Sequence, residues 1–463
     1  MIRSLFAALL LASAAPALAQ STTPIGPPAD PKVAALRDAA LDDHYAWNIV
    51  EGLTTEVGQR LAGTEAEERA RAWAIAKLRS LGFANIHVEP FDMNVWTRGP
   101  EAAEILAPFP QKLAIAALGN SASTPAEGIA GEVVGFDTLE DLAAAPDSAV
   151  HGKIVFVSHA MPRTQDGSGY GYFGGARRQG PTIASKKGAI GIVVRSIGTD
   201  HHRNPHTGVQ VFADGARPIP AGALAIPDAE QLQRILKRGK PVTMRLILVS
   251  QTRPGHSANV IAEVPGRDPA APILLVGGHL DSWDLGTGAI DDASGIAIAT
   301  AAAKHIMDAG RPLRTIRIVW FGAEEPGLFG GNAYKAAHGT QPHYAIAESD
   351  FGADRVWKVD SKLGDARKAE AQALQAALAP LGIVPGATDK ADGSDIEPMI
   401  EAGIPAVGLS QDGTYYFDIH HTPDDTLDKV DPEALRQNVA AWTAMLAVLS
   451  GGIEPEPKQC QRR

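Results

Sequence analysis

The chain has 463 residues, 45% hydrophobic and 21% charged, with a formal net charge of −11. This is a globular composition with ample length for a large core, and the length alone suggests about three domains. An acidic chain without a Lys/Arg block argues against nucleic acid and anionic membranes as partners.

The opening segment, MIRSLFAALLLASAAPALAQ, reads as a secretory signal. Arg3 precedes an apolar run, and Ala17-Leu18-Ala19 supplies a small-x-small cleavage site before Gln20. The alternative is a membrane anchor, for which the run is short. Removal of residues 1–19 takes away one positive charge, Arg3, and leaves −12. The protein is therefore expected to be exported, periplasmic or secreted. The one cysteine, Cys460, lies in a Pro-rich charged tail. An internal disulfide is excluded, so stability must come from the core.

Residues 20–120 read as a helical entry followed by a strand. Ala72, Ile75, Leu78 and Leu81 recur at helical spacing, and NIHVEPFDM alternates from Asn85. Residues 121–253 change character. GKIVFVSHA, KKGAIGIVVRS, IPAGALAIP and PVTMRLILVS are short apolar strands between Gly/Pro turns. They predict a small β-rich domain with one or two helices. GYGYFG (Gly169 to Gly174) matches G-x-G-x-x-G, but no strand runs into it, and it reads as a flexible glycine loop. HHRNPH (His201 to His206) could bind metal but reads as a surface loop. No G-x-S-x-G occurs.

Over residues 254–463 strands and helices alternate. APILLVGGHL, LRTIRIVWFGA, HYAIAESD and PAVGLS are the strands. Helices follow at 291–310, 327–339, 366–382 and near the C-terminus. The fold class predicted is α/β: a mostly parallel central sheet flanked by helices, interrupted by the β-rich insertion.

Ligands of such sheets sit at the carboxyl ends of strands. Here those ends carry His279 and Asp281 with Asp291-Asp292, then Glu324-Glu325, then Asp350, and finally His420-His421. Buried and unpaired, such charges would be costly; two or more divalent cations would compensate them. A mix of imidazole and carboxylate suits zinc better than calcium or magnesium.

GGHLDSWDLGTGAIDDASG, FGAEEPGLFG, AESDFG, DGSDIEPMIEAGIPA and FDIHHTPDDT resemble, in the same order, the di-zinc exopeptidases of the aminopeptidase Y type. The DSWD-containing run and HTGVQ (His206 to Gln210) are similar to the plasma glutamate carboxypeptidase branch. The resemblance covers nearly the whole mature chain. It implies two Zn2+ per chain. His279 and Asp350 would hold one ion, Glu325 and His421 the other, and Asp291 would bridge them. Glu324 would be the general base. Asp281 would accept from the second ring nitrogen of His279 and fix its tautomer. His420 stays open as the alternative to His421, and Asp284 has no assigned role. The resemblance further implies that the insertion is a protease-associated domain and that the Asp291–Asp292 peptide is cis. It also implies a homodimer, and short peptides as substrates, chiefly dipeptides with free termini. An aminopeptidase on longer peptides, a non-catalytic binding module of the same fold and a single-zinc glutaminyl cyclase are the rival readings.

Overall fold

The computed structural model describes residues 29–455. The expected signal segment and Cys460 lie outside them. Outside the insertion the helices are α1 (Pro31–Ala39), α2 (Tyr45–Glu56), α3 (Glu65–Ser80), α4 (Ser294–Ala309), α5 (Phe329–His338), α6 (Lys368–Leu378) and α7 (Pro432–Leu449). The main strands are β1 (Ala84–Ala107), β2 (Ile129–Phe136), β3 (Ile154–Val157), β4 (Gly191–Arg195), β5 (Ala221–Leu224), β6 (Thr243–Val264), β7 (Ile273–His279), β8 (Ile316–Phe321), β9 (His343–Glu348), β10 (Val356–Lys362) and β11 (Ala406–Gln411).

The central sheet is mostly parallel and runs β10-β11-β9-β7-β8-β6. β8, β7, β9 and β11 are mutually parallel, whereas β6 and β10 pair antiparallel at the two flanks. The apolar runs are strands buried on both faces. Leu274 and Val276 face the cluster that contains Ile296, Ile298 and Trp320, whereas Leu275 packs with Val319, Phe321 and Tyr334 on the other side. Successive side chains of a strand point to opposite faces, so both faces need a helical cover. Ile296 to Ala303 of α4 are almost wholly buried, and α7 packs along α4. Full burial of each large aliphatic side chain there contributes about 1.5–3 kcal/mol. α7 begins at Pro432, with the Asp431 carboxylate accepting from the Glu433 N–H at 2.8 Å.

Beyond β6 the insertion carries β2-β3-β4-β5, parallel among themselves, with Ile115–Ala117 pairing antiparallel on β5 at the far edge. The insertion is joined to the central sheet by two long antiparallel strands. β1 and β6 pair from Ala84 opposite Glu263 to Ala107 opposite Thr243, so each strand serves both parts. The chain division at 253 thus falls within a ladder that continues through it. The insertion also carries more helix than the one or two expected: Leu139–Ala144, Asp147–Val150, Tyr170–Phe173, Gly175–Arg178, Gly180–Lys186 and Ile226–Leu236. Most are too short to show a helical period. The glycine loop at 169–174 is one of these turns. The expected helical entry includes α2 and α3, separated by a break at 57–64.

Candidate metal centre

Every sequence-predicted metal residue arrives at one rim of the central sheet. His279 ends β7 and is 1% exposed. Its Nδ1 lies 2.9 Å from the carbonyl oxygen of Asp281. With the proton donated there, the Nε2 lone pair faces the carboxylates: Asp291 Oδ1 at 3.0 Å and Asp350 Oδ1 at 3.5 Å. Asp350 follows the end of β9.

Asp291 lies in the irregular turn 289–293 before α4, and its peptide bond to Asp292 is cis. The neighbouring Asp292 serves the backbone. Its carboxylate accepts from the N–H of His279 and of Gly295, both at 3.0 Å, locking the strand end to the helix start.

After β8 the chain turns at Ala323, φ 55°. A left-handed conformation is unfavourable for a residue with a Cβ. It is held by Asp281, whose carboxylate accepts from the N–H groups of Glu324 (3.0 Å) and Glu325 (3.3 Å). Asp281 therefore differs from the expectation. Its carbonyl rather than its carboxylate takes the His279 ring N–H; the carboxylate is 3.6 Å from that nitrogen and anchors the glutamate turn instead.

His421, φ 62°, reaches the other side of Asp291. Its Nε2 is 3.2 Å from Asp291 Oδ2 and 3.1 Å from Glu325 Oε2. Its Nδ1 lies 3.3 Å from the Thr207 carbonyl, which fixes the tautomer as Asp281 does for His279. His420 stacks on His421 with ring centroids 3.5 Å apart, and its Nε2 is 3.5 Å from the same Asp291 oxygen. Among the described residues His421 touches two of the acids and His420 one.

The donor set fits zinc. In a tetrahedral site with zinc bonds of about 2.0–2.2 Å, ligand atoms stand roughly 3.3 Å apart. The nitrogen–oxygen separations of 3.0–3.5 Å match those edges. Asp291 Oδ2 and Glu325 Oε1 are buried without a hydrogen-bond partner; the Asp291–His421 contact has ion-pair distance but not hydrogen-bond alignment. Charge says the same. Burial, then the charges of Asp350, Glu325 and Asp281, push Glu324 well above the usual carboxyl range, while His279 offsets part of it. Burial and the Asp291 charge raise Glu325 to about 7, against the pull of His421. Burial lowers His279, but the surrounding carboxylates of Asp281, Asp291 and Asp350 outweigh it and hold the ring's pKa well above 6.5. Protons on imidazole balance the acids where divalent cations could.

A cavity of about 470 Å3 opens over this cluster. Glu324, Glu325, Asp291, Asp350 and His421 line it together with Tyr170, Arg177, Arg178 and Tyr416.

Several supporting residues were given no role by the sequence. Arg60, fully buried, donates to the carbonyls of Leu280, Thr287 (2.6 Å) and Gly288 (2.9 Å), and so shapes the whole 280–288 loop. Asp425 accepts from the N–H of Ala289 and Ile290, both at 2.7 Å. Asp284, without a role in the sequence, forms a bidentate pair with Arg98, which also donates to Thr207 Oγ1 at 3.0 Å. His206 is no surface residue. It is buried, 2.8 Å from Asp200 Oδ1 through Nε2 and 2.9 Å from the His420 carbonyl through Nδ1. The signal available for it was the HTGVQ stretch, which points to the branch but not to this contact.

Comparison with known proteins places these features in a family. The pattern of peptidase family M28 matches residues 259–446. Carboxypeptidase Q of Bos taurus is 33% identical over 88% of this chain and 85% of its own length, and the Homo sapiens protein of that name gives 33% over the same shares. A crystal structure of a peptidase M28 precursor from Shewanella amazonensis SB2B superposes with a TM-score of 0.88 at 47% identity, covering 92% of this chain and 98% of that one. BSAP, a zinc aminopeptidase from Bacillus subtilis, shares the fold at a TM-score of 0.65 and 20% identity, over 89% and 97% of the two chains.

Proposed function

The chain belongs to peptidase family M28, and on that premise we propose that it is an exported di-zinc exopeptidase that hydrolyses short peptides, chiefly dipeptides with free termini. It is a zinc-dependent peptidase. One observation carries the two-ion reading: the two oxygens of Asp291 face different histidines, Oδ1 toward His279 and Oδ2 toward His421. A carboxylate approached from both sides in this way suits a bridge. His279 and Asp350 would complete one ion's ligands, and Glu325 and His421 the other's. His421 rather than His420 is assigned because it also meets Glu325.

When bound, paired zinc ions lower the pKa of a shared water and polarise the scissile carbonyl. Glu324 accepts the proton of the attacking water and returns it to the leaving amine. Its backbone is fixed by Asp281, and its side chain lines the cavity beside the ligand residues. Tyr416, buried in the cavity wall, narrows the space beside it. The inserted half, residues 121–253, is assigned as a protease-associated domain; its support is its run of parallel strands and the wall it contributes to the cavity through Tyr170, Arg177 and Arg178. Export rests on the N-terminal signal pattern. No described helix is long and apolar enough to cross a membrane.

An aminopeptidase acting on longer peptides is the second reading. A neighbouring cavity of about 570 Å3 shares Tyr170, Asp350, Phe351, Ser394 and Phe417 with the first and offers room for further residues. Metal analysis with a peptide screen tests the choice. Two zinc ions per chain and turnover of dipeptides over end-blocked peptides are expected. One ion or none would overturn the di-zinc assignment, and faster turnover of longer peptides would favour the second reading.

A further inference from the structure

Two arginines stand in the wall of an otherwise acidic cavity. Arg177 and Arg178 come from the glycine-rich turn of the inserted half and line the same cavity as Glu324 and His421. Arg177 is 3% exposed, and its hydrogen-bond acceptors are neutral: the Tyr170 hydroxyl at 2.7 Å and the Thr207 carbonyl at 3.1 Å, with its Nε left without a partner. Arg178 is half-buried over the Tyr170 ring and donates to the Gly171 carbonyl. Among the described residues no carboxylate pairs with either guanidinium.

The backbone makes room for both. A Cβ on Gly174 would lie 2.6 Å from Arg178 Nη1, and one on Gly208, φ 132°, would overlap Arg177 Nη1. Gly174 of GYGYFG and Gly208 of HTGVQ thus lie directly against the two guanidiniums. Keeping two cations in a partly closed wall without an acid is costly unless an anion enters.

We propose that Arg178 reads the C-terminal carboxylate of the substrate, with Arg177 behind it as a fixed second positive charge; this rests on the exopeptidase reading above. In a dipeptide the carboxylate belongs to the residue just beyond the scissile bond, and consecutive Cα atoms are about 3.8 Å apart. Arg178 lines the same cavity as the base and is the more exposed of the two guanidiniums on that wall, able to pair with such a carboxylate. A guanidinium fork matches a carboxylate in two parallel hydrogen bonds. A longer peptide presents a neutral amide at the same point and leaves the arginine unpaired. The wall thereby selects dipeptides over longer chains by charge rather than by length.

The test compares alanyl-alanine with its C-terminal amide on the zinc-loaded enzyme. The wild type should prefer the acid in kcat/KM by roughly ten- to a hundredfold, the range of one charged hydrogen-bonded contact. Arg178→Gln should bring that ratio close to one, chiefly through KM of the acid, with zinc content and Tm retained. Arg178→Lys should recover part of it. Lys390→Gln, in the neighbouring cavity, should keep the ratio. Calorimetric binding of a dipeptide analogue with a methylene-amine in place of the peptide bond, as acid and as amide, gives a readout without turnover and should show the same loss. An equal loss on acid and amide, or loss of the preference in Lys390→Gln instead, would overturn the proposal. If the enzyme cleaves neither compound, the exopeptidase reading fails, while the calorimetric difference still decides the carboxylate site.

Discussion

Glu324 and Glu325 are neighbours with different surroundings. Glu325 reaches His421 at 3.1 Å, whereas Glu324 lines the cavity and has no such ligand-like contact. Glu324→Gln should keep both zinc ions and lower kcat by roughly a hundred- to ten-thousandfold, as expected for loss of a general base. Glu325→Gln should lose zinc toward one ion per chain and lower Tm, because bound metal stabilises the native state. Metal analysis beside kinetics separates them. Zinc loss in Glu324→Gln with retention in Glu325→Gln would reverse the assignment. At this scale the sequence was informative where chemistry falls directly after a strand, as with His279, Glu324 and Asp350. It was silent on Arg60, one polar residue in an ordinary stretch that only folding brings against the 280–288 loop, and it gave no role to Asp425 although FDIHHTPDDT contains it.

Among elements, the link that matters joins the inserted half to the His420–His421 turn. Thr207 donates its N–H to the His421 carbonyl at 3.0 Å, and the His206 ring reaches the His420 carbonyl. His421 has a left-handed backbone that its own residue type disfavours, so the brace from outside holds it. His206→Ala removes that brace and leaves Asp200, buried in the fold, without its imidazole. Stability should fall by about 2–4 kcal/mol. Zinc affinity should fall roughly ten- to a hundredfold, as for loss of groups that orient a ligand. Competition with a chromogenic chelator measures the second effect, and unchanged affinity would sink the bracing role. Such tertiary links leave no periodic mark in a sequence. β10 was not expected, although Trp357-Lys358-Val359-Asp360 alternates apolar and charged residues; Lys358 and Asp360, on one face, pair at 2.9 Å. The parallel strands were legible because burial on both faces demands an unbroken apolar run.

Over the whole molecule, buried carboxyls set how stability follows pH. Burial chiefly raises Glu67 and Asp425 to about 7 and Glu348 to about 8 in the metal-free protein. Every tenfold gain in proton affinity on folding corresponds to about 1.4 kcal/mol. Their unfolded counterparts lose the proton near 4–4.5, so above that pH the unfolded chain holds fewer protons than the native one. Stability then decreases with rising pH until the native groups have also ionised. His343, lowered by burial to about 4, and His420, lowered further by burial and His421, act in the opposite sense. Their contribution is complete once the unfolded histidines are neutral, above about pH 6.5. Asp291, which burial would raise but His279 and His421 hold well below 3.8, gives a constant stabilisation throughout this range. Between about pH 6.5 and pH 8 the raised groups are therefore left to dominate, and the Tm of chelator-treated protein should fall. Zinc reverses the trend, because its carboxylate and imidazole ligands bind it only after losing their protons. The Tm difference between zinc-loaded and metal-free protein should accordingly widen across the same interval. Calorimetric scans of both forms at its two ends measure this, and a metal-free Tm that stays level or climbs would show that the buried carboxyls are not protonated as the packing requires.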